Sequence, residues 1–385
     1  MAEYVKIPAV FMRGGTSKGV YLMLNDLPSD QQARDRVILA IYGSPDIRQI
    51  NGMGGADPLT SKVAMIAKSE RVGVDVDYTF GYVGIDKAEV DYDGNCGNIS
   101  SGVGPFAIMT GLVAAQEPFT KVRIYNTNTN KVIEAQVPVK DGEPITRGDY
   151  VIAGVPGSGA RIELNFPDSA GSKTGKLLPT GNAVDEITLK NGKKIKASLV
   201  DAANPAIFVK ACDLGFSGTE LPDDAQANPE IIEMMEDVRT TGAVLMGLAK
   251  SKDSVGAAVP KMAFVAEAQD YLSAEGKQIE AQEVDLLART LALSVMHKTY
   301  AVTGGICLAT AALIEGTVVN EVLSERAKKS GEVLIGHPAG VLEVFVDISQ
   351  KDKEWQLHKA GVCRTAKPIM RGEVYVPAEL MKLEN

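Results

Sequence analysis

Tryptophan occurs once, histidine three times and cysteine four times in 385 residues, and aromatic side chains make up only 5%. Each scarcity excludes something. Cys96, Cys212, Cys307 and Cys363 are too far apart for a CxxC pair, and His297, His337 and His358 share no metal-ligand spacing with cysteines or acids. No structural zinc, iron–sulfur cluster or histidine-rich catalytic metal is therefore expected. No charged-then-apolar leader stands at the N-terminus, so the thiols read as free in a reducing cytoplasm. The longest apolar runs, such as Cys307 to Ile314, fall short of the roughly 18 residues that a membrane span needs. Gly157-Ser158-Gly159-Ala160-Arg161-Ile162 lacks the third glycine of a dinucleotide fingerprint. Gly171-Ser172-Lys173-Thr174-Gly175-Lys176-Leu177 is rejected as a phosphate loop: its glycines are one residue too close, and Leu177 replaces the required Ser or Thr. Basic side chains are also in deficit, 40 against 49 acidic, for a net charge of -9. That balance disfavours a nucleic-acid binder but leaves room for an anionic small molecule held by local donors.

What is present is glycine, 38 residues, in a chain that is 45% apolar and long enough for about two domains. Short, often alternating runs bounded by Gly, Pro, Asn or Asp predict strands at Lys6–Met12, Val20–Leu24, Val74–Tyr82, Lys121–Tyr125, Val132–Val139 and Tyr150–Val155. Helices are predicted at Ser29–Tyr42, Ile99–Leu112, Pro229–Arg239, Glu280–Met296 and Gly305–Ile314. Gly94-Asn95-Cys96-Gly97-Asn98-Ile99-Ser100 and Val302-Thr303-Gly304-Gly305-Ile306-Cys307 each lead into a helix rich in small residues, which hints at two similar halves. A polar stretch from Pro179 to Lys196 separates them, giving expected domains 1–185 and 186–385, with the final strand free to pack back on the first half.

Three polar motifs interrupt the apolar pattern. Arg13-Gly14-Gly15-Thr16-Ser17-Lys18-Gly19 lies between two apolar strands and is either an anion-binding cradle or the polar turn of a hairpin. Asn51 to Lys62 runs into apolar Val63 to Ile66, which places Lys62 at the entrance of a buried element. Burial favours the neutral, proton-accepting form of an amine; the commoner fate of such a lysine is to carry its ammonium out to water. In Asn95-Cys96-Gly97-Asn98 the positive end of a helix favours a thiolate, and free N–H groups favour a bound carboxylate. The bland alternative is a small core cysteine, which is how Cys212, Cys307 and Cys363 are read. Asn204 and His337, each at the junction of two apolar runs, are turn residues or substrate ligands.

Phe11 to Gly19, Ala56-Asp57-Pro58-Leu59-Thr60-Ser61-Lys62, Gly94 to Asn98 and Ile335-Gly336-His337-Pro338-Ala339-Gly340 together resemble the 2-methylaconitate cis–trans isomerase and 3-methylitaconate Δ-isomerase family. The resemblance runs in order from about Ile7 to Val376. It implies an α+β, diaminopimelate-epimerase-like fold: two pseudo-symmetric halves, each a β-sheet wrapped round a central helix, with the active site in the cleft between them. It also implies a cytoplasmic isomerase, without cofactor or metal, that shifts a C=C bond in a small unsaturated di- or tricarboxylate by allylic proton transfer. By resemblance Lys62 is the proton shuttle, and Cys96 its partner as acid, base or anion-orienting group. Thr16, Ser17, Lys18, Ser61, Gly97, Asn98, Asn204, Thr303 and Gly304 are the implied substrate contacts. Diaminopimelate epimerase has a cysteine at both helix starts; here the second slot is read as Thr303, which argues against a two-thiol racemase. No nucleic acid or membrane partner is implied, and a homo-oligomer stays open. The alternatives are a 4-oxalomesaconate-type keto–enol tautomerase, a two-base epimerase, and an accessory protein of an aconitase-like enzyme.

Overall fold

Strand β1 (Tyr4–Gly14) alternates in burial around Ile7 and Ala9, as a half-buried strand should. It is paired on both edges. Strand β2 (Ser17–Met23) lies antiparallel to it from Ala9↔Leu22 to Gly14↔Ser17, and Ala366–Pro377 runs antiparallel along its length. The computed structural model describes residues 3–92, 96–167, 169–256, 259–292, 295–352 and 354–381, and the chain divides into two compact units. The first is Met1–Asn165 with Cys363–Asn385, and the second is Phe166–Val362. The division precedes the boundary drawn at 185/186. The reason is local: the Gly- and Lys-bearing stretch after Phe166 folds onto the second unit's Asp201 and Ala203 through backbone bonds from Gly171, Leu177 and Ser169.

In the first unit, helix α1 (Gln31–Tyr42) is capped by Asp30, whose side chain accepts from the Ala33 N–H, and it ends at Gly43 in the left-handed region. It buries Val37, Ile38 and Ile41 against β2 and strand β3 (Lys62–Lys68). β3 runs parallel to β2, Gly19 opposite Lys62, and antiparallel to β4 (Val76–Val83). Helix α2 (Gly97–Met109) is buried from Ile99 to Ile108. Its small residues are what allow this: a Cβ at Gly102 would lie 2.3 Å from the Tyr21 hydroxyl.

The second unit repeats the order. Strands β5 (Lys194–Ala202) and β6 (Asn204–Lys210) form a tight hairpin over Ala203, and helix α3 (Pro229–Leu245) follows. Strand β7 (Lys261–Glu267) is parallel to β6 and antiparallel to β8 (Leu286–Ala292); helix α4 (Val302–Ala312) is buried except at Thr303. Each unit is thus a sheet around a small-residue helix, the expected α+β architecture.

Two predicted elements differ. Glu280–Met296 contains strand β8 rather than a helix, because Leu286, Leu287, Ala288 and Leu291 are buried on both faces of a sheet. A strand covered on both sides loses its alternation and matches helical spacing by accident. Tyr150–Val155 is a loop held by a single bridge from Tyr150 to Gly159. Its apolar residues do not alternate toward a core, and Val151 is 66% exposed.

Candidate active site

The first polar motif folds as the β1–β2 hairpin turn. Gly15 takes φ +52°, and a Cβ there would meet the Asn98 side chain at 2.1 Å, so both backbone conformation and space demand glycine. The turn divides its donors. Arg13, pushed below the usual arginine range by burial, donates to the carbonyls of Gly15 (2.7 Å) and Thr365 (3.0 Å) and to the Thr365 hydroxyl (3.0 Å). Thr16 is tied to Asn98, whose Nδ2 donates to Thr16 Oγ1 at 3.0 Å. Strand alternation sends Ser17 and Lys18 to opposite faces, and Lys18 lies 5.3 Å from the centre of the Phe11 ring. Lys18 therefore does not stand beside Ser17.

Ser17, Lys62 and Cys96 meet. Lys62 Nζ donates to Ser17 Oγ at 3.0 Å and to Cys96 Sγ at 3.6 Å, and Ser17 Oγ lies 4.0 Å from Cys96 Sγ. Cys96 occupies the N-cap of α2, where its carbonyl accepts from the Ser100 N–H (2.9 Å) and hydroxyl (3.0 Å). The next N–H groups, of Gly97 and Asn98, belong to a first turn that has no intrahelical acceptors. Gly94 and Asn95 of the same motif lie outside the described residues. Lys62 itself is half-buried, so its ammonium does not swing freely into water.

Groups that sequence reasoning missed hold Lys62 in place. The Tyr42 hydroxyl, at the end of α1, donates to the Lys62 carbonyl and accepts from the Val20 N–H (2.9 Å), so it bridges β2 and β3 beside the lysine. Burial pushes the Tyr42 phenol well above its ordinary value, and it stays a neutral donor. Gln49 donates to Ser44 and Ser61 and accepts from the Ala56 N–H, pinning the loop that delivers Lys62. Ser61 is fully buried, with its hydroxyl donating to the Val83 carbonyl (2.8 Å) while accepting from Gln49. Ser61 thereby anchors the start of the strand. Arg364 also went unnoticed; its Nε donates to Asn98 Oδ1 at 3.2 Å. A 266-residue separation gives sequence patterning no signal for that pair.

The remaining candidates sit in the second unit. Asn204 follows the β5–β6 turn, where Ala203 takes φ +60°. Thr303 and Gly304 lie in the first turn of α4, but its N-cap is Ala301, so Thr303 is not the positional counterpart of Cys96. Cys307 is deeper in α4, buried, donating to the Val200 carbonyl (3.3 Å), with its thiol pushed well up by burial. Cys363 is buried beside Arg161, whereas Cys212 is exposed, contrary to its reading as a core residue. His337 ends the strand Glu332–His337 at a tight turn, where its Nδ1 accepts from the Ala339 N–H.

The rejected phosphate-loop lookalike closes on an internal anion. Asp201, fully buried, accepts from the Ser172 hydroxyl (2.5 Å), the Lys173 and Thr174 N–H groups (2.8 and 2.7 Å) and the Thr174 hydroxyl (2.9 Å). A surface hollow of about 710 Å³ beside α3 is lined by Lys190, Glu233, Asp237 and Lys252, and Lys252 pairs there with Asp237 at 2.9 Å. Among the described residues no group of three or more His, Cys, Asp or Glu could hold a metal, and no helix is long and apolar enough to cross a membrane.

The PrpF protein family model matches residues 4–377. The chain belongs to that family. It is 48% identical to the 3-methylitaconate isomerase of Eubacterium barkeri over 98% of both chains. It is 42% identical to the 2-methylaconitate isomerase of Cupriavidus necator, covering 97% of this chain and 98% of that one. The crystal structure of a methylitaconate Δ-isomerase superposes with a TM-score of 0.91 at 47% identity, covering 100% of this chain and 98% of the other. A hydroxyproline epimerase from Agrobacterium vitis, 13% identical with a TM-score of 0.52, shares the fold over 98% of this chain and 94% of its own. Like these family members, the chain is an isomerase.

Proposed function

We propose that this isomerase shifts a C=C bond in a small unsaturated di- or tricarboxylate, of the methylitaconate, methylaconitate or trans-aconitate type, by allylic proton transfer and without a cofactor. The observation that carries the proposal is the meeting of Lys62 Nζ with Ser17 Oγ and Cys96 Sγ at the start of α2. Lys62, in its neutral form, takes a proton from the carbon next to the double bond. The C–H electron pair moves into the conjugated system and places charge on a carboxylate, giving a dienolate. The ammonium of Lys62 then returns a proton two carbons away, and the double bond has moved with no change of redox state. One amine serves both carbons when they lie on the same face.

The dienolate needs donors aimed at its developing charge. The N–H groups of Gly97 and Asn98 are proposed for that role, with the Ser17 hydroxyl and Thr16 orienting the acid. Asn204, Thr303 and Gly304 are proposed as further substrate contacts. Cys96, within reach of Lys62, acts as acid, base or orienting group for the same proton. The thiol-free cap of α4 speaks against a two-thiol epimerase: Ala301 fills it, and Cys307 is bonded into the core.

Proton NMR of the purified protein with a panel of these acids in deuterated water tests the proposal. Loss of a vinyl or allylic signal with growth of the transposed isomer is expected. Interconversion of enantiomers of an amino acid in the absence of any double-bond shift would overturn it.

A further inference from the structure

The two units repeat one device with one difference. In the first, Lys62 opens β3 opposite Gly19, just past Ser17, where the β1–β2 hairpin returns. In the second, Lys261 opens β7 opposite Ala206, at the same offset past Asn204, where the β5–β6 hairpin returns. The strands match as well. Lys62-Val63-Ala64-Met65-Ile66-Ala67-Lys68 and Lys261-Met262-Ala263-Phe264-Val265-Ala266-Glu267 share the lysine, both alanines and the same succession of half-buried and buried positions. Val63 and Met65 pack with Val37 and Ile41 of α1, and Met262 and Phe264 pack with Met235 and Val238 of α3. Alternation therefore puts both lysines on the opposite faces of their strands.

Lys62 has partners there; Lys261 has none among the described residues. Asn204 stands at the place of Ser17 and Ala301 at the helix cap held by Cys96, and among the described residues no hydrogen bond or ion pair reaches the Lys261 ammonium. Burial, and then the nearby charge of Arg239, push Lys261 below the ordinary lysine value. Arg239 itself holds both carboxylate oxygens of Glu236, at 2.8 and 2.6 Å. Partial burial costs the Lys261 ammonium part of its hydration, and an anion beside it would offset that cost.

We propose that Lys261 is a carboxylate-binding residue, taking one carboxylate of the small acids on which the enzyme acts. The proposal rests on the isomerase function for the class of ligand, and on the register of β6 and β7 for the position. It gives Lys261 a recognition role, with no proton transfer assigned to it.

Calorimetric titration with methylsuccinate, a saturated dicarboxylate that cannot isomerise, tests it in the wild-type protein and in Lys261→Met and Lys261→Arg. Methionine keeps the apolar stem and removes only the charge. Loss of one charge-assisted hydrogen bond predicts binding weaker by about 10- to 100-fold in Lys261→Met, with partial recovery in Lys261→Arg. With a substrate acid, KM rises by a similar factor while kcat stays within about threefold. A thermal midpoint at or above wild type in Lys261→Met excludes misfolding as the cause. Equal binding by wild type and Lys261→Met, or no binding by wild type, overturns the proposal. If binding depends on Lys261 but no acid in the panel is turned over, the isomerase mechanism fails and the carboxylate site stands.

Discussion

Two lysines sit at equivalent positions on equivalent strands, and only one of them is surrounded by chemistry. Lys62 is bracketed by a serine at a hairpin exit and a cysteine at a helix cap; in the second unit an asparagine and an alanine occupy those positions. The shared strand order fixes where an amine will stand. On the proposed mechanism, its neighbours then decide between moving a proton and holding a charge. A repeated frame can thus supply two different functions from the same side chain, with two substitutions marking the divergence.

The widest separation between the two lysines is expected in turnover. Replacing Lys62 by methionine should lower kcat by about 10³-fold, near the middle of the range for general acid–base groups, whereas Lys261→Met leaves kcat nearly intact. Equal losses of kcat in an NMR turnover assay would erase the distinction. The thiols extend it. Cys96→Ala should lower turnover by about 10²-fold. Cys307→Ala should leave turnover within about threefold while costing about 1 kcal/mol in urea unfolding, because its thiol only fills the core of α4.

The two polar loops sharpen the same contrast from another side. The 13–19 turn leaves Ser17 free for the site, whereas the 171–176 loop turns its donors inward onto Asp201. Asp201→Asn should therefore destabilise the protein by about 2 kcal/mol in urea unfolding, since a neutral amide cannot accept the same four bonds, and should leave KM and kcat close to wild type. A change in KM larger than the change in stability would mean that this loop has a ligand of its own. A loss of turnover smaller than at Lys62 or Cys96 is expected for Tyr42→Phe. It removes the hydroxyl bridging the Val20 N–H and the Lys62 carbonyl, and should lower kcat by about 10-fold with KM unchanged. Loss of stability alone would reduce Tyr42 to a packing residue.

Sequence patterning reached the strands that alternate and the helices with a clear apolar stripe, such as Gln31–Tyr42. It failed where a strand is buried on both faces, since Leu286–Ala292 carries no alternation to read. The site shows the same division. Lys62 and Cys96 stood out because each opens an element after a glycine-bearing turn, a local signal. Tyr42, Gln49 and Arg364 gave none, because they reach the site only through long-range folding. Ser17 and Lys18 show a simpler limit: adjacent residues in a strand face opposite ways, and a motif written as a string hides that. Lys261 was overlooked because its partner motifs had changed, although its strand had not.

Strand β1 is clasped between β2, which follows it directly, and Ala366–Pro377, near the other end of the chain. During synthesis this second edge of β1 therefore waits for the whole of Phe166–Val362 to leave the ribosome. The nascent first unit carries an open sheet edge throughout that interval, while the second unit has all its strands and can fold first. The part of the enzyme made earliest is finished last.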